Sequence, residues 1–496
     1  MRLRDLLEAV PVYEFRGEQD VEISAIELDS RRVGGGELFV CLEGLASDGH
    51  DFAATAVVHG AAALLVRRPL PEVAGTPQIV VSDPREVMAR MGGALFSHPS
   101  RFLEIVGVTG TNGKTTVTHL VQATALAAGR RADVLGTLGN RVGPEYRSTG
   151  FTTPEAPTLQ RLFRDAVDRG TEWLAMEVSS HALAQKRVFG TEFAAVVFTN
   201  LTRDHLDFHG SMEAYFEAKA LLFSPEGRGS AREPVAVLNL EDPAGQVLAG
   251  RIEGRKVTYG LGRGADYRAH ELRTTPEGTA YALSTPAGRA SVHLRLPGRF
   301  NVLNALAAQT AGLELGLPLD AVVTGVESVE RVPGRMERVA GSQPFTVLVD
   351  YAHTPDALEH ALRAARGFTS GRLAVVFGCG GERDRGKRPE MGRVAALGAD
   401  RVVVTSDNPR GENPETILDE IFAGLVDSAV PALREIDRAR AIRLALEHAR
   451  PGDTVLLAGK GHERTQILGD RTVAFDDREV AARVLREIGF DADDPV

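Results

Sequence analysis

Lys114 stands inside Gly110-Thr111-Asn112-Gly113-Lys114-Thr115-Thr116, between an apolar run at 102–108 and a helical pattern at 117–126. Backbone N–H groups at a helix N-terminus, an ammonium and a hydroxyl are what a nucleotide phosphate and its Mg²⁺ need. The amides and the lysine face the anion, and Thr115 is able to hold the ion. The usual phosphate-loop pattern wants glycine where this chain has Val108, with Gly107 and Gly110 on either side. An ordinary glycine turn before a helix is therefore the competing reading.

Other groups capable of chemistry also follow apolar runs. Glu177 ends the run 173–177, and His205 comes shortly after 194–198. In α/β sheets, ligand groups collect at the carboxyl ends of strands. Both are thus candidates for a metal shared with the nucleotide. The alternatives are a solvated loop carboxylate and a helix-start histidine bonded to backbone. Lys219 is one of only six lysines and lies in an apolar helical stretch, 215–223. It reads either as a lysine snorkelling from a half-buried face or as a buried, nucleophilic amine. Asn301 and Asn304 share a helix face, suited to an adenine edge or, for Asn301, to capping. Arg335 and Asp350 flank a boundary near Val332-Pro333-Gly334. They read as nucleotide contacts across a cleft or as surface charges. Three charged loops, 378–388, 407–410 and 459–463, follow strand patterns. Arg383 and Arg410 are suited to carboxylates and Glu463 to an ammonium; a solvated charged rim is the alternative.

These groups need an α/β scaffold to hold them. A chain of 496 residues predicts about three domains. The first, 1–98, is a small α/β unit with strands at 38–42, 62–66 and 78–81, a helix over 85–96 and a linker at 97–100. The second, 99–334, alternates strands and helices around the phosphate loop, with strands at 173–176, 194–198 and 235–238, then an antiparallel patch of short segments at 256–297. The third, 335–496, is Rossmann-like and doubly wound, with strands at 346–349, 373–377, 401–404 and 454–457. It lacks a G-x-G-x-x-G fingerprint, so no dinucleotide site is expected. The 43% apolar and 25% charged composition is that of a soluble protein. No apolar run is long enough to span a membrane, and the charged N-terminus is no signal peptide. Cys41 and Cys379 are expected to be reduced. These features point to the cytoplasm, and a net charge of −10 argues against nucleic-acid binding.

A set of motifs completes the reading: Leu28-Asp29-Ser30-Arg31, the 109–115 loop, Thr152-Thr153-Pro154, residues 177–181, 204–207, Asn301 with Asn304, residues 334–337, 350–353 and Asp407-Asn408-Pro409-Arg410. With these, essentially the whole chain resembles the Mur ligases, ATP-dependent enzymes that add amino acids to the peptidoglycan precursor. It is most similar to the members that add diaminopimelate. The resemblance implies a UDP-binding unit, a central P-loop ATPase with a mainly parallel sheet, and a C-terminal amino-acid-binding domain. It implies that Gly110 to Thr116 hold the ATP phosphates. Mg²⁺ would be held by Thr115, Glu177, His205 and Lys219, the lysine as an N-carboxylated side chain. Asn301, Asn304, Arg335 and Asp350 fall at nucleotide positions. Leu28, Ser30, Thr152, Thr153, Ser179, Gln185 and Arg187 fall at those for the UDP-sugar peptide. Arg383, Asp407, Asn408, Pro409, Arg410, Gly459 and Glu463 fall at those for the incoming amino acid. The implied substrates are UDP-N-acetylmuramoyl-L-alanyl-D-glutamate and meso-diaminopimelate, with L-lysine or L-ornithine as alternatives, handled by a monomer. Phe151, where relatives often have a polar residue, and Leu45-Ala46-Ser47 depart from the expected substrate-side pattern. The rivals are a folylpolyglutamate synthetase, against which the unit ahead of the phosphate loop weighs, and a GTPase-like switch. No Asn-Lys-x-Asp guanine reader is present for the latter.

Overall fold

A computed structural model describes residues 1–44, 47–143, 145–147 and 149–492. Leu45 and Ala46, two of the three residues flagged above for departing from the expected uridine-side loop, lie outside it.

Three separate sheets account for most strands. The first has five, with Leu38–Val40, Ala63–Val66 and Gln78–Val80 running parallel at its centre. The helix Pro84–Leu95 packs on it, opened by Asp83, whose carboxylate accepts from the Arg85 and Glu86 amides. The expected linker at 97–100 is more structured than its composition suggests. Ser97 and His98 take left-handed backbone, and a 3₁₀ turn, Pro99–Phe102, buries Pro99 and Ser100. The following strand begins only at Glu104, which leaves Phe102 exposed on that turn.

The central sheet has eleven strands among the described residues. The strand Glu104–Thr109 lies at its middle. It pairs in parallel with Trp173–Glu177 on one side and Ala195–Phe198 on the other. Chain order reverses across that strand, which makes its carboxyl end a topological switch point. Alternate residues explain why the strand is apolar throughout. Val106 and Val108 pack beneath the helices Lys114–Ala127 and Arg299–Glu314, while Ile105 packs with Leu174, Met176 and Phe198 on the other face. The antiparallel expectation for 256–297 needs correction. Lys256–Gly260 runs parallel to Val235–Asn239, and only the three long strands Tyr267–Thr275, Gly278–Thr285 and Gly288–Leu294 form an antiparallel run. They extend the same sheet because their alternating Tyr267, Ala269, Tyr281, Leu283, Val292 and Leu294 complete its core.

The third sheet has six strands in the order Glu337–Arg338, Thr346–Asp350, Thr454–Ala458, Leu373–Phe377, Arg401–Val404, Ala432–Arg434, all parallel but the first. Thr454–Ala458, Leu373–Phe377 and Arg401–Val404 are side by side. The three charged loops therefore leave one rim.

Candidate active site

The phosphate loop is built around two glycines. Gly110 (φ +148°) and Gly113 (φ +88°) take backbone that side chains rarely adopt. A Cβ on Gly110 would sit 1.8 Å from Thr199 Oγ1, and one on Gly113 would sit 2.4 Å from Asn304 Oδ1. Val108 is a core strand residue, buried and paired with Glu177 and Val197. The missing glycine at 108 is therefore no defect, because the loop bends two residues later. The segment 199–202 braces the loop from behind: Asn200 Oδ1 accepts from the Asn112 amide at 2.8 Å, and Thr111 Oγ1 accepts from the Thr202 amide at 3.0 Å.

Lys114 donates to the carbonyls of Gly110 (2.9 Å) and Thr111 (2.8 Å), and burial lowers its pKa. Thr115 Oγ1 donates to Glu177 Oε1 at 2.9 Å and accepts from Arg335 at 3.0 Å. Glu177 is buried at the last residue of its strand, with Thr137 N and Oγ1 donating to its two oxygens. The structure thus joins Thr115 and Glu177 as one oxygen-rich pair. It also brings His205 and Lys219 both against Tyr215: the His205 ring centroid lies 6.0 Å from that ring's centroid, and Lys219 Nζ lies 4.3 Å from it. Lys219 is 1% exposed and donates to Gly110 O at 2.9 Å. Burial first, and the Lys114 ammonium second, push its pKa well below the ordinary 10.5. Its head is buried, not snorkelling. His205 adopts left-handed backbone (φ 53°), and burial pushes its pKa down to about 3, which leaves a neutral imidazole. The hydroxyl of Thr115, the carboxylate of Glu177 and the neutral imidazole of His205 are donors of the kind a divalent cation takes.

A cleft of about 500 Å³ opens beside the loop, between the central and third sheets. Asn304, Arg335 and Asp350 line it, but Asn301 does not. Asn301 is fully buried; it donates to Pro297 O at 2.8 Å and accepts from Asn304 Nδ2 at 3.2 Å. The two asparagines thus divide the work, with Asn301 aiming Asn304. Arg335 stacks on Tyr351 at 4.8 Å, and its buried Nε has no partner. An orphaned guanidinium N–H beside a phosphate loop fits an anion. Asp350 lines the cleft, yet its oxygens accept from the Met336 and Ala352 amides at 2.7 and 2.9 Å. It braces the turn that carries Arg335. Asp356, unremarked from sequence, accepts from Asn112 Nδ2 at 3.0 Å across the cleft.

On the other side of Glu177, Thr137 Oγ1 meets Thr152 Oγ1 at 3.0 Å. Thr153 is buried, bonded to Glu177 O and the Ser179 amide, while Ser179 caps the helix Ser180–Ala184. Arg187 donates to Thr153 O and Gln185 Oε1, pairs with Glu155 at 3.0 Å and stacks on the exposed Phe151 at 4.4 Å. Leu28 and Ser30 lie in the N-terminal unit, and among the described residues no hydrogen bond joins them to this cluster. That unit is fastened instead by Lys186 to Asp83 and Glu86.

At the third sheet's rim, Arg410 donates to Gly381 O at 2.7 Å, and its backbone joins the hairpin Thr465–Leu468 and Arg471–Ala474. Pro409 is buried beside it. Asn408 Nδ2 donates to Glu463 Oε2 at 2.9 Å, and Gly459 (φ +113°) passes so close to Asp407 that a Cβ would meet its Oδ2 at 2.7 Å. Arg383 is exposed on its loop. Three rim or hinge residues, Met336 (φ 48°), Glu382 (φ 56°) and Arg410 (φ 52°), share His205's left-handed backbone, the kind of local strain that gathers at functional sites. Arg203, absent from the candidates, bridges the loop before His205 to Glu390 (2.8 Å) and Asp384 (3.3 Å).

A phosphate loop beside a cleft shared by two sheets is the arrangement of a nucleotide-using enzyme. Three family models match this order: Mur ligase family, catalytic domain, over residues 22–94; Mur ligase middle domain, over 108–312; and Mur ligase, glutamate ligase domain, over 334–461. The chain belongs to the Mur ligase family. Among its relatives, UDP-N-acetylmuramoyl-L-alanyl-D-glutamate–2,6-diaminopimelate ligase of Geobacillus kaustophilus is 46% identical over 99% of this chain and 100% of its own. The ligase of the same name from Synechococcus sp. WH7803 is 49% identical over 98% and 99%. A solved structure of a ligase of that name superposes with TM-score 0.69 at 35% identity, covering 98% of this chain and 99% of its own. A folylpolyglutamate synthase of Mycobacterium tuberculosis, solved with ADP and AMPPCP, shares the fold at 18% identity and TM-score 0.62.

Proposed function

We propose that this chain joins meso-diaminopimelate to UDP-N-acetylmuramoyl-L-alanyl-D-glutamate, converting ATP to ADP and phosphate. The γ-phosphoryl passes to the D-glutamate carboxylate, giving an acyl phosphate; the amine of the amino acid attacks the carbonyl, and phosphate leaves. Lys114 and the amides of Gly110 to Thr116 neutralise the charge that develops on the phosphoryl oxygens. Asn304, aimed by Asn301, reads the adenine; Arg335, braced by Asp350, reaches the nucleotide from the third domain. Thr115, Glu177, His205 and Lys219, the last as its carbamate, would hold Mg²⁺, which supplies further positive charge beside the phosphates. The low-pKa amine of Lys219 is the state that takes up CO₂. Leu28, Ser30, Thr152, Thr153, Ser179, Gln185 and Arg187 line the nucleotide-sugar peptide path, several of them by bracing one another. The units are 1–98, 99–334 and 335–496, working as a monomer in the cytoplasm. No helix among the described residues is long and apolar enough to cross a membrane.

The observation that supports this reading best is Arg203, bonded to Asp384 and Glu390, which brings the Arg383 loop next to the loop that carries His205. An amine held at that rim is close to a carboxylate activated at the phosphate loop. meso-Diaminopimelate is lysine with one more carboxylate, and Arg410 supplies a cation for it. Leaving that guanidinium with a carbonyl and no carboxylate would disfavour lysine or ornithine by about 10²–10⁴ in kcat/KM. Phosphate release measured with UDP-muramoyl dipeptide and each of diaminopimelate, lysine and ornithine tests the assignment, and Arg410→Ala is expected to lose the preference. A higher kcat/KM for lysine or ornithine in the wild-type enzyme refutes it.

A further inference from the structure

Thr137, unremarked from sequence, lies where two parts of the site meet. It follows the strand Ala132–Gly136, which pairs in parallel with Trp173–Glu177. That strand ends in glycine where the carboxylate passes: a Cβ on Gly136 would lie 2.4 Å from Glu177 Oε1. Next to it, the Thr137 amide donates to Glu177 Oε1 at 2.9 Å, and the Thr137 hydroxyl donates to Oε2 at 3.1 Å. The same hydroxyl meets Thr152 Oγ1 at 3.0 Å. A hydroxyl carries one hydrogen and two lone pairs, and a carboxylate only accepts. Thr137's hydrogen is committed to Glu177, so the hydrogen between the two threonines belongs to Thr152. Thr152 Oγ1 then has only lone pairs left to offer. The chain of donors runs from Thr152 to Thr137 to Glu177, in that direction alone.

We propose that Thr137 is a positioning residue that ties the Glu177 carboxylate to the nucleotide-sugar peptide site and fixes Thr152 there as a hydrogen-bond acceptor. The proposal rests on the reading above that places Thr152 at that site. An acceptor hydroxyl recognises a neutral N–H or O–H donor of the substrate and none of its carboxylates. The two tasks of Thr137 separate by atom. Its amide and its hydroxyl hydrogen aim Glu177, while its hydroxyl oxygen alone reaches Thr152. Thr137→Val keeps the shape and the amide bond. It takes one donor from Glu177 Oε2 and leaves the Thr152 hydrogen without its acceptor, which frees that hydroxyl to rotate.

The test compares wild type, Thr137→Val, Thr137→Ser, Thr152→Val and the double variant Thr137→Val/Thr152→Val. Equilibrium affinity for UDP-muramoyl dipeptide is measured without ATP, alongside kcat and KM for diaminopimelate. Thr137→Val should weaken dipeptide binding by about threefold to tenfold and lower kcat, with KM for diaminopimelate within about twofold of wild type. Thr137→Ser should restore both. Thr152→Val should weaken binding by a similar factor, and in its background Thr137→Val should weaken it no further. Additive losses, a serine variant no better than valine, or a matching rise in KM for diaminopimelate overturns the proposal. A loss beyond about thirtyfold in Thr152→Val marks a charge-assisted bond to a substrate carboxylate and overturns the acceptor role. Thr137 is half-buried, so the isosteric valine should fold; should it fail, Thr137→Ala is read by the same outcomes. A wild-type enzyme that does not bind UDP-muramoyl dipeptide refutes the nucleotide-sugar reading itself. Binding in wild type that Thr137→Val leaves unchanged refutes only the role of Thr137.

Discussion

Lys219 shows how one side chain's surroundings select its chemistry. An ammonium in that pocket would face burial, the Lys114 charge and a single carbonyl partner. A neutral amine avoids the first two costs, and a carbamate made from it turns the charge to one that suits Lys114 and a metal. Lys219→Ala should therefore abolish amide formation, with formate or acetate partly restoring it. Near-native activity of the alanine variant would remove Lys219 from the mechanism. Lys114→Ala should fold normally but lose ATP-dependent phosphate release. A rate within about threefold of wild type, less than ~1 kcal/mol of barrier, would show that the loop amides suffice without it.

At the scale of elements, the rim loops depend on ion pairs beneath them. Arg438 opens the helix Arg438–Glu447, and Asp477 opens Asp477–Glu487; both are fully buried and joined by two bonds, at 2.7 and 2.6 Å. Arg438 also donates to Ala458 O at 2.9 Å, at the end of the strand that feeds the 459–463 loop. Removing one partner strands the other charge in the core, so Asp477→Ala should destabilise by about 3–5 kcal/mol in urea unfolding. A loss below ~1 kcal/mol would mean that water reaches Arg438. Arg388, buried under the neighbouring loop, pairs with Glu412 and Glu420 at 3.0 and 2.7 Å. That hydrogen bond holds the Glu412 carboxyl at about 2, against an ordinary 4.5. A depressed carboxyl stabilises the fold above its unfolded pKa, and that contribution is lost as pH falls from 4.5 toward 2. The melting-temperature gap between wild type and Glu412→Gln should therefore narrow across that window. A gap that stays constant with pH would rule out this linkage.

Over the whole molecule, function depends on how the central and third sheets meet. Arg335 to Thr115, Asn112 to Asp356 and Arg203 to Asp384 and Glu390 are among the bonds that cross the junction. An exposed pair such as Arg203 with Glu390 adds little to stability, under about 1 kcal/mol. It matters more if it keeps water from an acyl phosphate. Arg203→Ala should melt close to wild type yet release more phosphate than amide formed. Equal amounts of phosphate and amide in that variant would show that closure does not depend on this contact.

Sequence by itself determined many of the buried strands, the phosphate loop, the odd lysine at 219 and the family, because each is written in short-range pattern. Alternation of apolar residues, glycines at fixed spacing and a scarce residue in an apolar run are legible within a dozen positions. The assignment of work among neighbours was not. Asn301 and Asn304 read alike in sequence, yet one is buried in the helix start and the other faces the cleft. Asp350 reads as a nucleotide contact; it lines the cleft and also braces the turn that carries Arg335. Asp356 and Arg203 are ordinary charges in sequence. Asn112 and Asp356 are 244 residues apart. Contacts of that kind exist only once two sheets have docked, and docking is decided by burial and shape over whole faces that no local pattern encodes.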